Sequence, residues 1–140
     1  NGFVVQKHIL ATLPFGGNLQ HGNVLGRDLR RLLDAGLAPA LDKSGAHLQY
    51  SSNVTRQGSN FLIDGKPLED TKTYVLCLPG FLAGGGEAAL GFIKGISTWS
   101  DIALTPAIQG GPAKNDVRDI VIWYMKQSGQ MVAIRAMMKK

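Results

Sequence analysis

The chain gathers glycine into short runs, and two of these runs sit beside a phenylalanine: Leu13-Pro14-Phe15-Gly16-Gly17 and Phe81-Leu82-Ala83-Gly84-Gly85-Gly86. Fixing a glycine in a helix or strand costs more backbone entropy than fixing any other residue, so such runs break regular structure. Each run divides the chain into separate elements with a shaped loop between them. Glycine makes up 18 of 140 residues, about 13% against a usual ~7%. The glycines do not recur every third residue, which excludes a collagen-like rod.

The segments between these loops are apolar enough to bury. Hydrophobic residues are 44% of the chain and charged residues 18%, a balance that excludes a disordered tail or a charged coiled coil. The length, 140 residues, fits one compact domain spanning 1–140. A single cysteine, Cys77, excludes an internal disulfide. No apolar run approaches the roughly 18–20 residues of a membrane span, and Asn1-Gly2-Phe3 does not open a signal peptide. A start without Met is expected of a piece of something longer or a processed product. The net charge of +5 favours an anionic partner. The basic residues are spread along the chain, however, and a nucleic-acid footprint would be denser.

Periodicity places the elements. A short helix is predicted within 3–13, where Ile9, Leu10 and Leu13 recur at helical spacing and Pro14 ends it. A strand over 18–25 leads to Gly26, which opens the clearest helix. Its apolar stripe is Leu29, Leu32, Leu33 and Leu37, with Arg27, Arg30, Arg31 and Asp34 on the other face. Strands are predicted over 47–55 and 60–63, with Asp64-Gly65 as a turn. The best strand is 73–78, closed by Pro79-Gly80. A short helix follows over 87–94, and a longer one runs from about Asp116 to Gln127, with Asn115 or Asp116 as its cap. Residues 130–136 read as a final strand. The sum is an α+β fold, a mixed β-sheet with packed helices.

Few constellations carry chemistry. His8, His21 and His47 show none of the spacings of a metal site. Asp116 and Asp119 share a helix face, where two acids complement the dipole. There is no Gly-x-Ser-x-Gly, and Cys77, mid-strand between leucines, is expected in the core. No catalytic residue is assigned. Asn53-Val54-Thr55 is a glycosylation sequon that matters only in a secretory setting. Gly84-x-Gly86-x-x-Ala89 fits a loose dinucleotide fingerprint. Three residues separate it from the strand, however, the strand comes too late for a full βαβαβ half to follow, and no strand-terminal acid stands about 20 residues on, since Asp101 arrives early. That leaves Phe15 and Phe81, whose glycine neighbours lack the bulk to cover a ring. Either the glycines let both rings fold inward as core, or the rings form a slot for a flat ligand, each stacked face worth roughly 1–3 kcal/mol.

Taken together, the two segments resemble the C-terminal domain of the 5′-nucleotidase family, which includes UDP-sugar hydrolases and 2′,3′-cyclic-nucleotide phosphodiesterases. The carriers are ILATLPFGGNLQHGNVLGRDLRRLLDAGL near the start, Ala46-His47-Leu48-Gln49-Tyr50, IDGKPLEDTKTYVLCLP, and FLAGGGEAAL. The likeness covers nearly the whole chain. It implies that the base of a nucleotide or nucleoside is held between Phe15 and Phe81, with Gly16, Gly85 and Gly86 shaping the loops. Glu87 stands where the family has an Asp that contacts the nucleoside, and Ala88 and Ala89 replace the usual Gly and aromatic residue.

The resemblance also implies what lies elsewhere. It places an Asn-Gly-Gly-Gly-Ile-Arg-like segment and a two-metal phosphoesterase domain upstream, so divalent metals belong to that domain and this part has no cofactor of its own. The parent is then a metal-dependent nucleotide hydrolase exported to the periplasm, the cell surface or the medium. The expected partners are a nucleotide or nucleoside and the upstream catalytic domain, not a nucleic-acid polymer, and this part alone does not turn over. The rival expectation is the same fold without nucleotide binding, serving structure or assembly.

Overall fold

The computed structural model describes residues 4–103 and 115–127. The final strand expected over 130–136 lies outside them. The chain divides into two compact units, Asn1–Gln20 with Asp101–Lys140, and His21–Ser100.

In the first unit, helix α1 (Gln6–Thr12) ends at Leu13, whose N–H reaches Ile9 O, and Pro14 follows where no helix can continue. Helix α4 (Val117–Gln127) packs against α1. Ile9 and Ile122 are the buried residues of the two helices.

The second unit holds the main core. Strand β1 (Leu19–Leu25) runs into helix α2 (Gly26–Gly36). The first two N–H groups of α2 bond to the carbonyls of Lys72 and Asp70, so backbone rather than a side chain satisfies donors that a helix start leaves open. Gly26 is required there because a Cβ would collide with the Glu69 carbonyl. The predicted stripe is the buried face: Leu29, Leu32 and Leu33 join Val24, Phe61, Leu68, Leu78, Ala83, Leu90 and Ile93 in one cluster. Arg30 and Arg31, on the face away from the stripe, are engaged. Arg30 bonds Asp70 and the Leu68 carbonyl, and Arg31 stacks on Phe92 at 4.0 Å.

Strands β2 (Val54–Gln57), β3 (Asn60–Ile63) and β4 (Lys66–Pro67) form an antiparallel sheet, with Val54 opposite Ile63 and Leu62 opposite Pro67. The strand expected over 47–55 is confined to its end. A local turn, closed by Val54 N–H to Ser51 O and Ser51 Oγ–H to Asn53 Oδ1, occupies the residues before it. Such short polar side chains offer the backbone an alternative to pairing. Leu48 instead packs on Gly36, with its N–H on the Gly36 carbonyl.

Strand β5 (Thr73–Pro79) belongs to the other sheet, whose order is β5–β1–β6, with β6 at Ser100–Asp101. Its alternation corrects the expectation for Cys77. Leu78 is buried and Tyr74 and Leu76 pack on the core, whereas Val75 is 74% exposed and Cys77 is exposed with it. The two leucines that flank Cys77 in sequence belong to the opposite face of the strand. Partial burial still pushes its thiol pKa up. After β5 come a single helical turn, α3 (Gly80–Ala83), and a 3-10 helix over Ala88–Gly95 in place of the predicted short α-helix. The whole is a set of helices with two three-stranded sheets, as the α+β reading requires.

Candidate functional site

Four of the six candidate residues lie in one loop of the second unit. Helix α3 is tied off by consecutive bonds: Gly84 N–H to Gly80 O, Gly85 N–H to Leu82 O and Gly86 N–H to Phe81 O. Gly85 has φ +77°, a left-handed conformation open to glycine at little steric cost. At Gly86 a Cβ would strike the Phe81 ring. The ring therefore lies along the bare backbone of Gly86, which is why that position has no side chain. Phe81 nevertheless keeps 66% of its surface exposed. Glycine does not fold this ring into the core; it gives the ring a backbone shelf and leaves it open to solvent.

Glu87 closes the loop. It is the N-cap of the 3-10 helix, its carboxylate accepting from Ala89 N–H at 3.4 Å. Reading Glu87 only as a substitute for a ligand-binding Asp misses this capping role. The spacing of an acid two residues before a helical N–H is the available signal.

Phe15 and Gly16 belong to the first unit. Phe15 follows Pro14 and is 86% exposed, more than any other large hydrophobic residue described. The backbone around it is closely held. Gly17 N–H donates to Asp116 Oδ2 at 2.9 Å, and Val117 N–H donates to Gly17 O. Asn115 exchanges two bonds with the Leu19 backbone. Asn18 and Gln20 both donate to Asp101. At Gly16 a Cβ would overlap the Arg118 guanidinium and the Asp116 carboxylate.

Asp116 is the helix cap expected from the sequence, whereas sequence reasoning misses its tie to Gly17 and the part played by Arg118. Asp116 caps α4 by accepting from Arg118 N–H at 2.9 Å, and the same carboxylate takes Arg118 Nε at 3.1 Å and its terminal amino group at 3.2 Å. Hydrogen bonds from Arg118 and from the Gly17 backbone hold the Asp116 carboxyl far below the usual carboxylate range, and the pair raises the Arg118 pKa in turn.

Elsewhere in the second unit a cleft of about 320 Å³ is lined by Ile63, Lys66, Pro67, Lys72, Tyr74 and Val75 among others. None of the six candidate residues lines it. Lys72 is drawn to Glu69 at 3.8 Å and lies over the Tyr74 ring at 5.6 Å. Among the described residues, no group of three His, Cys, Asp or Glu side chains is placed to hold a metal ion. Each loop by itself therefore offers an exposed aromatic face on glycine-shaped backbone, which suits stacking on a flat ring.

Comparison with known proteins gives consistent matches. The profile of the family described as 5′-nucleotidase, C-terminal domain, matches residues 1–92. Protein UshA of Yersinia enterocolitica serotype O:8 / biotype 1B is 33% identical over 90 residues, 61% of this chain and 16% of that protein. A snake venom 5′-nucleotidase of Gloydius brevicauda is 29% identical over 106 residues, 62% of this chain and 18% of the relative. Among solved structures, the NAD nucleotidase NadN of Haemophilus influenzae has a TM-score of 0.63 at 18% identity, over 92% of this chain and 25% of that one. The 5′-nucleotidase precursor of Thermus thermophilus has 0.64 at 16%, over 93% and 26%. These structures share the fold. The chain spans only about a sixth of the curated relatives' length.

Proposed function

The chain belongs to the 5′-nucleotidase C-terminal domain family, and from that membership we propose that it is the nucleotide-recognition domain of a phosphoric monoester hydrolase. The base stacks on the exposed rings of Phe15 and Phe81, and Gly16, Gly85, Gly86 and Glu87 shape the loops that present them. The observation that carries this reading is the pair of exposures. Two phenylalanines stand 86% and 66% open on backbone held by hydrogen bonds. Burying such rings elsewhere would gain hydrophobic free energy, so their exposure in two well-held loops calls for a ligand.

In this reading the chain binds and orients, and the hydrolytic step belongs to a two-metal domain in another part of the protein, where metal ions activate water and neutralise the phosphoryl oxygens. Holding the base fixes where the phosphate can reach, which is a positioning contribution to rate. Export belongs to the proposal as well. One relative is a venom protein and another is named a precursor, and no described helix is long and apolar enough to cross a membrane.

Equilibrium titration of the full chain with adenosine, AMP, uridine and ribose 5-phosphate tests the reading. Nucleosides and nucleotides bind, ribose 5-phosphate alone does not, and Phe15→Ala and Phe81→Ala each weaken binding about five- to a hundredfold. Equal binding by both variants and the unaltered chain contradicts it. No nucleoside binding at all leaves a module that keeps the fold for assembly.

A further inference from the structure

We infer that Asp116 and Arg118 are positioning residues for Phe15: a clasp that fixes the Gly16-Gly17 backbone and so the place from which the ring projects. This rests on the reading of Phe15 as a stacking ring and extends it to two residues about a hundred positions further along the chain. Three observations point the same way. First, a Cβ at Gly16 would overlap the guanidinium and the carboxylate, so the bare backbone lets the pair close against the loop. Second, one carboxylate is shared between the loop, through Gly17 N–H, and the start of α4, through Arg118 N–H. Third, Arg118 turns back on that carboxylate with two of its own donors. A guanidinium fork on a carboxylate fixes direction as well as distance.

The pair, with side chains 33% and 22% exposed, also steadies the start of α4. Asn115 already ties the same helix start to Leu19. What the pair adds is control over the two residues after Phe15, which otherwise include a glycine at φ +142°. A loop already held does not lose its backbone freedom again when the base arrives, and that saving appears as affinity.

The test uses the full chain, with 4-fluorophenylalanine at position 15 and three readouts: hydrogen exchange at the Gly17 amide, fluorine NMR of the ring, and adenosine affinity. Asp116→Ala and Arg118→Ala remove a charge-assisted hydrogen-bond system and speed Gly17 exchange by about tenfold or more, with a change in the fluorine signal. Adenosine binding weakens about three- to tenfold, the cost of ordering the loop on binding. Arg118→Lys keeps the charge but loses the fork and falls between. Asp116→Asn keeps the shape but loses the charge that the Gly17 N–H and the guanidinium share, so it also speeds Gly17 exchange, and it serves where Asp116→Ala perturbs α4. In a Phe15→Ala background, Arg118→Ala has no further effect on affinity, a result that a general structural role does not give. Unchanged exchange and fluorine signals in Asp116→Asn and Arg118→Ala overturn the clasp, as does an additive loss in the Phe15→Ala background. If the unaltered chain binds no adenosine, the stacking reading fails, and the exchange and fluorine signals still decide the clasp.

Discussion

Phe81 and Gly86 act as one unit, because the ring rests on the place where a Cβ would be. Gly86→Ala should therefore behave as a weaker Phe81→Ala: the ring is displaced, base affinity falls, and the fold survives because Phe81 is largely exposed. Comparing adenosine affinity with the thermal midpoint of each variant checks this, and a Gly86→Ala chain that binds normally contradicts it. Cys77 carries a second prediction at this scale. Its thiol is exposed, so a thiol-specific reagent modifies it fully in the native chain. The raised pKa keeps the thiolate scarce at neutral pH, so the rate climbs as pH rises past the ordinary thiol range. Protection until denaturant is added would return Cys77 to the core. The misplacement of Cys77 comes from reading its leucine neighbours in sequence as neighbours in space, which a strand never makes them. Phe15 and Phe81 are legible as rings lacking bulky neighbours, but from residues alone their exposure is not. Whether a ring between glycines turns in or out depends on partners such as Asp116 and Arg118, far away in sequence.

At the scale of elements, α2 is the most legible because its leucines recur at helical spacing, and the structure buries that stripe. Leu32→Ala, at a site 2% exposed in the main cluster, should cost about 2–5 kcal/mol in denaturant unfolding through the lost contacts and the cavity; a loss under about 1 kcal/mol would mean that the cluster collapses around the gap. The segment before β2 is misread because Ser51 and Asn53 bond within their own turn, a preference that strand-like composition does not show. The start of α4 makes a pH prediction. The Asp116 carboxyl is held below its unfolded pKa, so its stabilisation is fully present above the ordinary carboxylate range and is lost as pH falls through the lower, folded value. Gly17 amide protection, corrected for intrinsic exchange, stays constant from pH 7 down to about 5. Protection then falls as pH drops below about 4, and protection that stays level down to about pH 2 would show that the carboxyl is not held below its ordinary value.

For the molecule as a whole, the family is readable because its motifs are shaped loops at fixed distances from strong strands: FLAGGG follows β5, and LPFGG precedes β1. The ties that bring residues 17–19 to residues 115–117 are not readable, since single asparagines and aspartates at such separations carry no periodic signal. The proposed division of labour makes its own prediction. In the proposed full-length hydrolase, a chelator abolishes hydrolysis while adenosine still binds with its original affinity; loss of both together would move the base site away from these loops. The most direct measurement is of intermolecular nuclear Overhauser effects between the base protons of bound adenosine and ring protons of the full chain, with phenylalanines selectively labelled. Stacking of the base on these rings predicts contacts to Phe15 and Phe81, and their loss in the matching alanine variants. Contacts confined to other residues, such as Tyr74 and Val75 of the lysine-lined cleft, would contradict it.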